Sequence, residues 1–214
     1  MSGKIRAGDD PIRILTADDH PVFRAGLASV IANESDMRIV GEATTGREAI
    51  EKFSTLQPDV GLFDIQMPDM DGITALEQIC TACPTARVIV LTTYRGYALA
   101  QRALKAGAQG YVLKGMIRKD LLDSIRAVSR GGMRVQQDVA EELACHIGER
   151  SLSEREIEVL KLVAFGNSNK SIGCRLALAE DTIKGHLKNI LSKLDAFDRA
   201  HAVTLAVTRG ILSL

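Results

Sequence analysis

Four apolar runs in this chain end in side chains able to do chemistry. Asp18 and Asp19 follow ILTA, Asp64 follows VGLF, Thr92 follows VIVL and Lys114 follows GYVL. Singly, each is ordinary: an Asp at a strand end caps the next turn, and a Thr or Lys there is a solvated edge residue. Together they are three carboxylates, a hydroxyl and an ammonium group. Carboxylates held at short range raise one another's pKa, and a hard divalent ion with oxygen ligands relieves that repulsion. Mg2+ takes a few carboxylates, waters and a phosphate oxygen. The chemistry on offer is therefore cation-assisted handling of a phosphate, provided the fold brings these strand ends to one rim.

The chain's patterning predicts such a fold. Strands are expected over Ile12–Ala17, Met37–Ala43, Asp59–Phe63, Arg87–Thr92 and Gly110–Leu113. Helices are expected near Val22–Ala32, Arg47–Leu56, Ile73–Cys80, Ala98–Ala106 and Lys119–Ser129. In the last of these Leu121, Leu122, Ile125 and Val128 share one face, the mark of an amphipathic helix. Five strands alternating with five helices predict an α/β, doubly wound, five-stranded parallel sheet of flavodoxin-like type. In such sheets ligands bind beyond the carboxyl ends of the strands, where the strand order reverses. Asp18, Asp19, Asp64, Thr92 and Lys114 all fall at those ends.

From Ser151 onward the patterns are only helical, near Glu154–Phe165, Asn169–Leu176, Asp181–Leu194 and Arg199–Arg209. Ile183, Leu187, Ile190, Leu191 and Leu194 form an apolar stripe along the third. The expected organisation is a polar, flexible tail over 1–11, an α/β domain over 12–131, a linker with a short helix over 132–150, and a small all-α domain over 151–214.

Composition narrows the classes. A chain of 214 residues, 46% apolar, has enough material for two cores. It has no apolar run approaching a membrane span, and MSGKIRAGDD lacks the apolar stretch of a signal peptide. A cytoplasmic protein without a membrane partner is expected. The net charge of zero argues against an overall basic coat but allows a basic face on one domain. Cys80 and Cys83 form a C-x-x-C without a second Cys/His pair at ligand spacing, and they close a helix instead of opening one. They read as packing residues. The absence of Trp and the few aromatics disfavour an aromatic-lined ligand pocket.

The stretches TADDHPVFRAGL, PDVGLFDIQMPDMDGI, VIVLTTY and AGAQGYVLK resemble the receiver domain of two-component response regulators. The resemblance implies that Asp64 accepts a phosphoryl group from a sensor histidine kinase. It implies that Asp18, Asp19, Asp64 and the backbone carbonyl of Gln66 hold Mg2+. Lys114 would pair with the acids and then with phosphoryl oxygens, and Thr92 would bond another of those oxygens. Tyr111 would pack behind Thr92 as it moves inward. His20 reads as a helix-start residue. These residue types suit phosphoryl transfer, which needs an in-line nucleophile, a metal and fixed cations.

LSEREIEVL, GNSNKSI, TIKGHLKNILSKL and DRAHAV resemble the helix-turn-helix domain of LuxR-type regulators. With the receiver this gives the NarL/FixJ class, and it implies a transcription regulator that is not an enzyme. With the apolar stripe turned inward, Lys184, Gly185, Lys188 and Ser192 fall on the opposite face, suited to a major groove. Thr182, Asn169 and Lys170 stand at helix starts where phosphates could be bonded. Lys170, Arg175, Lys184, Lys188 and Lys193 outnumber Glu180 and Asp181, a local basic surplus. Double-stranded DNA with paired half-sites and a phosphorylation-dependent homodimer are the expected partners. His186 and His201 read as packing or surface residues. Ala179, where a capping Ser or Thr is common, together with Gly185, predicts a soft DNA-reading helix, with Gly173 a further soft point in the supporting helix; the alternative is that close backbone approach to DNA or to a neighbouring helix requires the glycines.

Other classes fit less well. A haloacid-dehalogenase-like phosphatase needs a second Asp two residues after the first, where this chain has Gln66. A ligand-sensing LuxR-type regulator, acting without phosphorylation, needs an aromatic sensory pocket.

Overall fold

The apolar runs expected as strands are strands, and three of them are enclosed along their whole length. A computed structural model describes residues 10–93, 97–115, 118–145 and 152–212. In it β1 (Ile12–Ala17), β2 (Met37–Ala43), β3 (Val60–Asp64), β4 (Val88–Thr92) and β5 (Gly110–Leu113) pair in parallel. Every residue of β3, β4 and β5 is buried, which is why these strands read as continuous apolar runs without alternation.

The strand order is β2-β1-β3-β4-β5-β6. The chain thus steps outward from β1 to β2 and returns to the other side of β1 with β3. That reversal lies between the strands ending in Asp18 and Asp64. The sheet has six strands, where five were expected. Residues 134–135, expected in the linker, form β6 (Arg134–Val135) against β5, with Gly110 opposite Arg134. A two-residue strand has no periodic signature; pairing with an open sheet edge selects it.

Helices α1 (Pro21–Ala32), α2 (Gly46–Leu56), α3 (Gly72–Ala82), α4 (Tyr97–Lys105) and α5 (Arg118–Ser129) alternate with the strands. Their starts are chemically marked. Pro21 opens α1 where a missing N–H costs nothing, Thr45 caps α2 by accepting from Glu48 N–H, and Asp71 caps α3 by accepting from Thr74 N–H. Leu27 and Ile31 of α1 and Leu122, Ile125 and Val128 of α5 pack on Ile14, Leu62, Ile89, Leu91 and Val112 of the sheet. On the other face Phe53 of α2 meets Phe63 edge-on, ring centroids 6.2 Å apart. Full burial of each large apolar side chain contributes about 1.5–3 kcal/mol.

Two compact units are distinguished, the first holding residues 10–93 and 100–137 and the second 97–99 and 138–212. A short helix, α6, spans Gln137–Cys145. Residues 1–9 of the expected tail and 146–150 of the expected linker lie outside the described residues. The second unit holds α7 (Glu154–Ala164), α8 (Asn169–Leu176), α9 (Glu180–Leu194) and α10 (Arg199–Thr208). Val159, Leu160, Ile172, Ile183, Ile190, Leu194, Ala202 and Ala206 form its core. Ser153 and Glu156 make a capping box at the start of α7.

Candidate functional site

The first site is the carboxyl edge of β1, β3, β4 and β5. Asp18 is 1% exposed and Asp64 3%, so neither carboxylate is a solvated strand-end residue. Both reach the Lys114 ammonium, whose Nζ lies 2.7 Å from Asp18 Oδ2 and 2.7 Å from Asp64 Oδ2. The main chain sets that geometry: Lys114 N–H donates to Thr92 O at 2.7 Å, pinning the end of β5 to the end of β4. Phe23 of α1 lies beneath the ammonium, Nζ 4.7 Å from the ring centroid. Gly72 N–H donates to Ile65 O, folding the loop after β3 back on the strand. A Cβ at Gly72 would collide with the Asp64 carbonyl oxygen, so the close approach requires glycine.

Asp19 is more exposed, and the side chains of Asp18, Asp19, His20 and Asp64 each place one ligand atom within 4.8 Å of the others. Burial, foremost, pushes the Asp64 carboxyl above the usual carboxylate range, and the charge of Asp18 adds to it. Lys114 and the Gln66 backbone amide pull the other way without cancelling it. Burial also disfavours the Lys114 ammonium, but its bonds to Asp18 and Asp64 outweigh that and hold its pKa above the ordinary lysine value. The asymmetry has a plain cause: one cation serves two buried carboxylates. A rim with this excess of hard oxygen charge fits a divalent cation.

Thr92 ends β4, 1% exposed, and Tyr111 of β5 is 0% exposed. Tyr111 pairs in register with Val90, two positions before Thr92, so both side chains belong to one face of the sheet. The ring is already enclosed. Gln66 is exposed, one residue beyond the buried Ile65.

One contributor escaped the sequence reading and a second, His20, was read only in part. Arg24 Nη1 donates to the Asp18 carbonyl at 2.7 Å, tying α1 to the end of β1; the signal was its place six residues after Asp18. His20 is the N-cap residue of α1, but its side chain makes no capping bond. Its Nδ1 lies 2.7 Å from Asp19 Oδ1 and 3.3 Å from Asp18 Oδ1. The expected helix-start role is performed by its backbone alone.

In the second unit, Ile183, Ile190 and Leu194 are buried and Leu187 and Leu191 pack on the same core. Lys184, Gly185, Lys188 and Ser192 are exposed on the other face of α9, and Thr182 and Lys170 are exposed too. Asn169 is half-buried, and its Oδ1 is buried without a hydrogen bond. Ser168 caps α8 beside it, accepting from Ser171 N–H. Lys184 Nζ lies 3.0 Å from Asp181 Oδ1 and 3.7 Å from Glu180 Oε1, and its bond to Asp181, foremost, raises its pKa. Lys193, counted in the basic surplus, is tied 2.7 Å from the buried Glu156. The basic face is therefore smaller than counting lysines suggests.

An acidic rim at the switch point of a parallel sheet, followed by a separate helix-turn-helix unit, defines a receiver coupled to a nucleic-acid-binding module. Comparison with known proteins agrees. Residues 14–126 match the response regulator receiver domain, and residues 150–206 match the bacterial regulatory proteins of the luxR family. The response regulator protein VraR of Staphylococcus aureus is 38% identical over 206 residues, 94% of this chain and 99% of the relative. Among solved structures, response regulator ChrA of a heme-sensing two-component system is 37% identical, with TM-score 0.56 over 94% of this chain and 99% of that one. RcsB of Salmonella enterica serovar Typhimurium, solved bound to promoter P1flhDC in the presence of the phosphomimetic BeF3-, is 27% identical, with TM-score 0.70 over 93% and 99%. The chain belongs to the two-component response regulators of the NarL/FixJ class, and it is a transcription regulator with a luxR-family DNA-binding domain. Among the described residues no helix is long and apolar enough to cross a membrane.

Proposed function

We propose that this response regulator is switched by phosphorylation of Asp64 by a sensor histidine kinase. The observation that carries the reading is the Lys114 ammonium bridging Asp18 and Asp64 at 2.7 Å each, with both carboxylates buried. An Asp64 oxygen forms the new O–P bond as the N–P bond of the phosphohistidine breaks, and the donor imidazole keeps the electron pair and regains a proton. Asp18, Asp19, Asp64 and the Gln66 backbone would hold Mg2+, which supplies neutralisation of phosphoryl charge when bound. Lys114 fixes a positive charge beside the transferred group. The Thr92 hydroxyl accepts the role of bonding a phosphoryl oxygen, and Tyr111, on the same sheet face, transmits its movement.

The C-terminal unit would bind double-stranded DNA through Lys184, Gly185 and Lys188 of α9. Thr182, Lys170 and Asn169, at the helix starts, would serve as phosphate contacts. One short reading helix makes few contacts, so a phosphorylated homodimer on paired half-sites is the fitting assembly. A cytoplasmic place accompanies those partners. Asp64→Asn is expected to abolish labelling by a small phosphodonor with Mg2+, measured by intact mass. Undiminished labelling would remove Asp64 as the acceptor, and rapid phosphodonor turnover without stable mass gain would favour an enzyme.

A further inference from the structure

His20 carries an observation that the helix-start reading leaves unexplained. As N-cap of α1 its side chain would ordinarily accept from a backbone N–H of the first turn. It makes no such bond. The ring instead turns onto the acids, with Nδ1 2.7 Å from Asp19 Oδ1, 3.3 Å from Asp18 Oδ1 and 3.8 Å from Asp64 Oδ2. The His20 backbone N–H donates to Asp18 Oδ1 at 2.8 Å, so main chain and ring both close on the same carboxylate. Lys114 stands on the Oδ2 atoms of Asp18 and Asp64. The imidazole approaches Asp18 from its other oxygen and meets Asp19 there.

Resting on the reading of this rim as a divalent-cation site, we propose that His20 Nδ1 is a further ligand of that site. We infer that it biases the rim toward a borderline transition ion such as Mn2+ or Co2+ over Mg2+. The spacing fits. Six ligands about 2.1 Å from an ion stand roughly 3 Å apart when adjacent and roughly 4.2 Å apart when opposite, and His20 Nδ1 stands 2.7, 3.3 and 3.8 Å from the Asp19, Asp18 and Asp64 oxygens, inside that span. The chemistry fits as well. Mg2+ holds to oxygen and keeps its waters, whereas an imidazole nitrogen suits later first-row ions, whose affinity rises from Mn2+ through Co2+ to Ni2+. A rim of carboxylates alone would discriminate less. The opposing account makes the ring a donor, its Nδ1–H an internal counter-ion that any metal must displace.

The test is calorimetric titration of the full-length protein with Mg2+ alone and Co2+ alone, with the visible spectrum of the Co2+ form recorded. It compares the unaltered chain, His20→Gln and Asp19→Asn. The expected result is that His20→Gln weakens Co2+ binding about tenfold or more and shifts the Co2+ absorption band. Mg2+ affinity should stay within about twofold. An unchanged ratio of Co2+ to Mg2+ affinity, or tighter binding of both ions by His20→Gln, would overturn the ligand role while leaving the cation site standing. Asp19→Asn should weaken both ions. If it weakens neither, the rim is not the cation site and the proposal falls with it.

Discussion

At the scale of single residues, the finding with the most direct consequence for DNA is that Lys184 shares its charge with Asp181 and Glu180. These acids stand at the start of α9, where they favour the helix dipole but oppose phosphates. Asp181→Asn is therefore expected to raise affinity for non-specific duplex DNA by roughly twofold to tenfold at low salt, the gain shrinking as salt rises. Equal affinities across a salt series would show that Lys184 is not part of the DNA face. Glu156 makes a second residue-scale prediction. Burial raises its pKa, but bonds from Lys193 and Ser153 outweigh that and hold the carboxyl below the usual value of 4.5. Its contribution is thus complete above about pH 4.5 and is lost as pH falls through the depressed folded value. Glu156→Gln should cost about 1–3 kcal/mol near neutrality and flatten that acid limb, read from denaturant melts of a fragment starting at Ser151.

At the scale of elements, α9 is softened at both ends. Ala179 supplies no side-chain cap, and Asp195 closes the helix in the left-handed region at φ 53, where glycine is favoured. The turn before it depends on Ala177, also left-handed at φ 52. Ala179→Ser should add about 1 kcal/mol, and Ala177→Gly a similar amount, about 1 kcal/mol, by relieving the Cβ. Gly185 is a third soft point, because a Cβ there meets nothing within 4 Å. Gly185→Ala should add about 1 kcal/mol to the unit without DNA. Gly173 follows the alternative reading, in which close backbone approach requires glycine. A Cβ there would stand 2.7 Å from the Leu178 carbonyl oxygen, so Gly173→Ala should destabilise by roughly 1–3 kcal/mol. Unfolding midpoints of the same fragment check all four directions.

At the scale of the whole molecule, the receiver and the DNA-binding unit each have a core of their own. Each core is therefore expected to stay folded whether or not Asp64 carries a phosphoryl group. Phosphorylation is expected to convert monomer to dimer and to raise affinity for a site with paired half-sites far more than for one half-site. Sedimentation with a phosphate mimic checks the first part and competition between the two DNAs the second. A monomer that holds a single half-site tightly would contradict both.

The sequence by itself determined the strands, the helices and the edge at which Asp18, Asp64, Thr92 and Lys114 end. Those depend on local periodicity, and in a parallel sheet every strand end points to one side. The apolar stripe of α9, and with it the exposure of Lys184, Gly185 and Lys188, was legible for the same reason. What only the tertiary structure decided depends on how the folded backbone brings partners together, whether they are near or distant along the chain. Lys193 left the basic face because Glu156, 37 residues away, is buried beside it. Arg134 and Val135 became a strand because β5 offered an edge. Gly173 became necessary because Leu178 folds back over it. His20 turned from helix cap to neighbour of the acidic rim because Pro21 already opens the helix and the Asp18 and Asp19 carboxylates lie within reach. Periodicity records which face a residue occupies; which charge or carbonyl waits on that face is fixed only when the backbone takes its folded course.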